Sequence, residues 1–215
     1  MQLKIIYVYD ALCGWCYGFS PVMERLAENY GERLHITILS GGMIIGERSG
    51  PIGKVAGYIG EAYKTVENRT GIKFGKDFLE GILKEGTAEF SSLQPAIALC
   101  AVKELARDKS LEFAGLLQKA IYFDGIAPNE LKDYVPYAQK VGINKEDFLA
   151  AMQNDRYLEQ AKREFDVVQK LGIQGFPTLL LETEERLYRL TSGYLPYEQL
   201  AAVIEAAWEQ TVVSN

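Results

Sequence analysis

The placement of strand patterns constrains this chain more than any other feature of it. Between about Ile52 and Leu171 apolar residues recur at helical spacing without a β-run, while strand patterns lie only in the two flanking segments. Leu3–Tyr9 is a short apolar run of β-formers, and a second such run covers Leu34–Leu39. From Cys16 to Tyr30 the spacing of Phe19, Met23, Leu26 and Ala27 predicts an intervening helix that ends at Gly31. Pro21, inside it, removes a hydrogen bond and predicts a kink. After the helical stretch come strands at Thr178–Glu182 and Arg186–Thr191, joined by a hairpin-length turn, and a last helix over Tyr197–Thr211. The order is strand–helix–strand, a helical block, then strand–strand–helix. That order predicts an α/β fold in which residues 1–50 and 172–215 form one core and residues 51–171 form an inserted helical domain. Within the block the spacing predicts helices over Ile52–Thr70, Lys76–Lys84, Leu93–Arg107, Leu111–Phe123, Glu130–Val141, Lys145–Asn154 and Tyr157–Leu171.

Length and charge narrow the function. A chain of 215 residues buries roughly 70% of its unfolded surface, so it needs no disulfide framework to be stable. The net charge of −6 argues against nucleic acid, which requires a basic patch to displace counterions. No apolar stretch approaches the ~20 residues of a membrane helix. The first residues are too short and too β-branched for a secretory signal, so the expected location is cytoplasmic. The glycine-rich run from Gly41 to Pro51 fits neither GxGxxG nor a phosphate loop and reads as a loop leaving the sheet.

Three cysteines remain to be placed. Cys13 and Cys16 form a C-x-x-C that follows a strand and opens a helix. At a helix N-terminus the free N–H groups and the positive end of the dipole favour an anion, so the thiolate of the first cysteine is stabilised. Cys13 is therefore expected to be an exposed nucleophile and Cys16, one turn inward, the buried resolving thiol. A structural metal would need four ligands, and only Cys100 and His35 are left, at unrelated spacings, so no metal is expected. Cys100, among apolar helical neighbours, reads as a small core residue. Gly175-Phe176-Pro177-Thr178, directly before the third strand, places a proline where an X-Pro bond is either plain trans or a cis bond in a tight turn.

Cys13-Gly14-Trp15-Cys16 after the first strand, a helical insertion, and Gly175-Phe176-Pro177-Thr178 before a hairpin together resemble the DsbA-like branch of the thioredoxin superfamily. Asp10 and Tyr17 around the cysteines resemble the pattern of its cytosolic FrnE-type members. Gly41-Gly42 resembles a loop of kappa-class glutathione transferases and 2-hydroxychromene-2-carboxylate isomerases. The resemblance implies a thioredoxin fold with a large helical insertion, and a cis-proline loop that packs on the cysteines and offers its backbone to substrate. Cys13 and Cys16 are then the catalytic pair, and Gly14, Trp15, Phe176, Pro177 and Thr178 contact substrate, with Asp10 and Tyr17 in support. It implies a thiol–disulfide oxidoreductase or protein disulfide isomerase, acting on protein thiols and disulfides or on low-molecular-weight thiols. Beyond the redox-active Cys13–Cys16 disulfide no cofactor is expected, with glutathione a candidate co-substrate, and monomer and homodimer both stay open. The periplasmic oxidants carry a histidine between their cysteines, whereas Gly14 and Trp15 supply no cation, which implies a more reducing couple. Two other readings stay open: glutathione-dependent isomerase or transferase chemistry on a small molecule, and a non-catalytic adaptor that presents proteins to a protease, with the pair as redox sensor.

Overall fold

A computed structural model describes residues 2–213. Four strands make the main sheet: β1 (Leu3–Tyr9), β2 (Leu34–Ser40), β5 (Thr178–Glu182) and β6 (Leu187–Ser192), in the order β2-β1-β5-β6. β1 runs parallel to β2 and antiparallel to β5, and β5 to β6 is antiparallel. Helix α1 (Gly14–Tyr30) makes the crossover between the parallel strands, and α9 (Tyr197–Val213) closes the chain. α1 continues unbroken through Pro21 and ends at Gly31, whose φ of 50° lets its N–H reach the Ala27 carbonyl.

The block between β2 and β5 contains α2 (Ala56–Thr70), α3 (Leu83–Glu85), α4 (Leu93–Leu105), α5 (Ser110–Tyr122), α6 (Val135–Lys140), α7 (Lys145–Met152) and α8 (Asp155–Lys170). Three details depart from the spacing. The helix expected over Lys76–Lys84 is a π-helical turn, Asp77–Ile82, running into α3. The one expected over Glu130–Val141 begins as a tight turn at Leu131–Tyr134 before α6. The block also holds strand structure after all. β3 (Gly50–Pro51) pairs antiparallel with β4 (Glu89–Phe90), a two-residue ribbon too short to leave an alternating pattern. Its neighbours Ile52 and Gly53 donate to the Ala88 and Gly86 carbonyls, and a side chain at Gly53 would sit 2.8 Å from the Gly86 oxygen.

Alternation along the strands sorts the core. Ile5 and Tyr7 face one way with their cross-strand partners Leu181 and Leu179, in the large core that includes α1, α9 and most of the block. Val8 and Leu180 face the other way, against Val168 of α8 and Ile173. The sheet is thus covered on both faces, as the near-continuous apolar runs of β1 and β5 require. Because Val8 pairs with Thr178 across the antiparallel ladder, the end of β1 and the start of β5 meet at one edge. The segment after β1 carries the two cysteines, and the segment before β5 carries Pro177.

Candidate active site

Cys13 is the residue preceding α1, in extended conformation with φ −96° and ψ 111°. Its carbonyl accepts the first helical hydrogen bond, from Tyr17 N–H at 3.0 Å, which leaves the N–H groups of Gly14, Trp15 and Cys16 without helical partners near the sulfur. Its thiol donates to the Phe176 carbonyl at 3.5 Å, across the cis Phe176–Pro177 peptide bond's own loop. Cys16 lies wholly buried one turn on, and both cysteines are free thiols. Burial first, then the neighbouring Cys13 thiol, pushes the Cys16 thiol well above its usual value. The sequence placed Cys13 at the surface. It is only 6% exposed, because Phe176 and the loop after β1 close over it.

The loop that carries the cysteines is held by Asp10. This carboxylate is buried, and its oxygens accept from Leu12 N–H (2.9 Å), Ser92 Oγ (2.9 Å) and Met43 N–H (2.8 Å). Burial raises its carboxyl above the ordinary range, and those hydrogen bonds pull it back. Its main-chain carbonyl accepts from Cys13 N–H and from Gln118 Nε2, and Gln118 accepts in turn from Ser20 on α1. One side chain and its carbonyl therefore tie the cysteine loop to the loop after β2, to the start of α4 and to α5.

Tyr17 joins α1 to the block. Its ring stacks on Tyr122 at 5.4 Å and meets Phe74 edge-on at 5.3 Å, and its hydroxyl donates to the Lys73 carbonyl. Trp15 and Gly14 stay partly exposed beside the sulfur. Tyr194 lies 6.3 Å from the Trp15 ring, and the Arg69 guanidinium sits 5.8 Å over it. Phe176 is also partly exposed, whereas Pro177 and Thr178 are buried, the Thr178 hydroxyl donating to the Gly175 carbonyl. The side chain of Thr178 therefore shapes the loop from within. His35 lies exposed at the start of β2, remote from the pair in the chain and in the sheet.

Several residues frame the site in ways the sequence did not disclose. Gly41 is one: a Cβ there would lie 2.2 Å from the Phe176 ring, so only glycine admits that ring beside β2. Gly42 follows at φ 68° with Phe165 against it. The paired glycines were a visible cue, but what they make room for lies more than a hundred positions further along the chain. Behind them Glu164 is buried, pairs through both oxygens with Lys103 (2.7 and 2.8 Å) and accepts from Ser40 N–H. Cys100, fully buried on α4 as expected, donates to the same carboxylate at 3.5 Å. Among the described residues no cluster of histidine, cysteine or acidic side chains could hold a metal.

Residues 4–205 match the DSBA-like thioredoxin domain family. The chain belongs to that family. Cytosolic disulfide reductase DsbM from Pseudomonas aeruginosa superposes with a TM-score of 0.80 at 27% identity, covering 97% of this chain and 100% of that one. A candidate protein disulfide isomerase from Nitrosomonas europaea gives 0.83 at 24% identity, over 98% and 99% of the two chains. A 2-hydroxychromene-2-carboxylate isomerase gives 0.67 at 14% identity over 99% of each, a likeness of fold alone. No curated protein sequence matches the chain at a significant level. At this coarse level the protein is a DsbA-like thiol–disulfide oxidoreductase with a thioredoxin fold interrupted by helices. Among the described residues no helix is long and apolar enough to cross a membrane.

Proposed function

We propose that this protein exchanges disulfides through the Cys13-Gly14-Trp15-Cys16 dithiol, with Cys13 attacking and Cys16 resolving. The observation that carries the reading is the seating of Cys13 at the free N-terminus of α1, against the Phe176 carbonyl, with a second thiol one turn inward. The Cys13 thiolate attacks a substrate disulfide, forming a mixed disulfide and releasing one substrate thiolate. Cys16 then attacks the Cys13 sulfur, the Cys13–substrate bond breaks, and the second substrate thiol leaves with the electron pair. Two electrons pass from the dithiol to the substrate, and an external thiol must restore them.

Trp15, Gly14 and the backbone of Phe176 and Pro177 line the approach to Cys13, and the buried Thr178 keeps that loop in shape. An extended polypeptide suits main-chain contacts of this kind. The near-complete burial of Cys13 favours small or extended disulfides over bulky ones, and glutathione is the natural small partner, as the P. aeruginosa reductase solved with GSH suggests. A cytoplasmic location fits the resemblance to a cytosolic reductase. The couple should be more reducing than that of a periplasmic oxidant, since neither Gly14 nor Trp15 carries a charge and burial disfavours the Cys16 thiolate.

Replacing Cys16 by Ala tests the reading directly. The variant should accumulate mixed disulfides at Cys13, identified by mass spectrometry, while the intact protein reduces insulin in the presence of dithiothreitol. Protein adducts support exchange with polypeptides, and glutathione adducts alone turn the reading toward small-molecule chemistry. Complexes that survive Cys13→Ser would replace it with the adaptor reading.

A further inference from the structure

Two tyrosine hydroxyls on β1, those of Tyr7 and Tyr9, are buried without a hydrogen-bond partner. A polar group orphaned in this way costs stability, and native structures seldom keep one without a use. Tyr7 lies on the α1-facing side of the strand. Its ring meets Phe19 at 5.9 Å, and Phe19 is three residues beyond Cys16 on the same helix face. Its cross-strand partner, Leu179, is two residues past Pro177. The phenol therefore lies in the core packed between β1 and α1, which Cys16 and Phe19 also line.

Burial, and after it the charges that Cys16 and Cys13 take on ionising, raises the Tyr7 phenol well above its usual value, with a smaller contribution from hydrogen bonding to Cys16, so it stays a neutral O–H donor within reach of that sulfur. A thiol is a weak acceptor, whereas a thiolate is charged and accepts strongly. The reduced pair at rest holds Cys16 as a thiol, since burial opposes its ionisation.

We propose that the Tyr7 hydroxyl is a donor kept in reserve for Cys16, without a well-formed hydrogen bond in the resting dithiol and engaged by the Cys16 thiolate while it resolves a mixed disulfide. The inference rests on the dithiol reading above. In that step the Cys16 thiolate forms the Cys13–Cys16 bond, the bond from Cys13 to the substrate sulfur breaks, and the electron pair leaves on the substrate. The proton given up by Cys16 is balanced by the one the departing thiolate takes up. Tyr7 transfers no proton and only stabilises the transient charge, so it changes the rate of resolution and leaves the equilibrium between dithiol and disulfide nearly untouched.

Stopped-flow reaction of the reduced protein with dithiobis(nitrobenzoate) separates the two steps, because each sulfur attack releases one coloured thiolate. Tyr7→Phe, which removes only the oxygen, should keep the first release and slow the second by about tenfold, the order expected of one hydrogen bond to a charged acceptor. Its equilibrium with glutathione should stay within about twofold of the parent, and its melting temperature should not fall, since an orphaned polar atom is gone. Tyr9→Phe makes the same change two residues along and should resolve at the parent rate. A second release at the parent rate in Tyr7→Phe overturns the inference alone. A slowed release with a lowered melting temperature also overturns it, because the loss then reports packing. A parent protein that gives no second release overturns the dithiol reading and this inference together.

Discussion

Cys16 and Cys100 are both fully buried thiols on helices, and burial raises both above the usual range. Their neighbours differ. Cys16 has Cys13 one turn away, at the residue where α1 begins and N–H groups are unspent. Cys100 lies in the middle of α4, where every backbone donor is used, and faces a carboxylate already paired with Lys103. Burial thus keeps a thiol quiet at rest in both places. Whether it can react is decided by the presence of a second sulfur within reach, and of the two only Cys16 has one, Cys13.

The largest effect should separate these two regions outright. Cys13→Ser is expected to lower disulfide reduction by on the order of a thousandfold, since the attacking atom is lost. Cys100→Ala should retain activity within about twofold, measured by insulin turbidity or by coupled glutathione turnover. A comparable loss in both variants would break the comparison, because Cys100 would then take part in the chemistry.

A second effect tests what surrounds Cys100. Lys103→Met leaves Glu164 buried beside Ser40 N–H without its cation, and denaturant unfolding should show a loss of about 3–5 kcal/mol. The same variant should keep the reactivity of Cys13 per folded molecule. A loss below about 1 kcal/mol, the range of surface pairs, would show that water reaches the pair.

The smallest effect is a pH dependence. Burial and the Glu164 charge raise the Cys100 thiol, so the folded protein keeps this proton at a pH where the unfolded chain has lost it. The resulting stability is complete below the unfolded value of about 8.5 and declines as the pH climbs toward the folded one. One such proton tilts stability by up to about 1.4 kcal/mol per pH unit in that window. Cys100→Ala should remove that much from the alkaline slope, read from urea unfolding between about pH 9 and pH 11. An unchanged slope would mean that Cys100 ionises as easily folded as unfolded.

Much of the architecture was legible because it rests on local periodicity. β1 and β5 fall where the apolar runs end, and α4, α5 and α8 lie within a few residues of their patterns. The β3–β4 ribbon and the π-helical turn at Asp77–Ile82 were not legible, since two residues carry no period and one extra residue in a turn leaves no pattern. In the site, the cysteine pair announced itself by residue type and spacing, and the proline loop through the family resemblance. Asp10 was visible only through the family resemblance, and its clamp depends on Ser92, Met43 and Gln118, which arrive from other elements. The Arg69 guanidinium over the Trp15 ring, supplied by α2, is another contact that arrives from a distant element.

The sequence by itself determined the order of elements, the dithiol at a helix start and the burial of Cys100. These follow from side-chain period and from residue types a few positions apart. The tertiary structure decided that Cys13 is nearly closed off, that Gly41 makes room for Phe176, and that the Tyr7 hydroxyl is buried in the core it shares with Cys16 without a well-formed hydrogen bond. Each of those depends on the antiparallel pairing of Val8 with Thr178, which brings together segments more than a hundred and fifty residues apart. Which atoms face one another across such a contact is fixed by packing the whole core, and no local pattern encodes it.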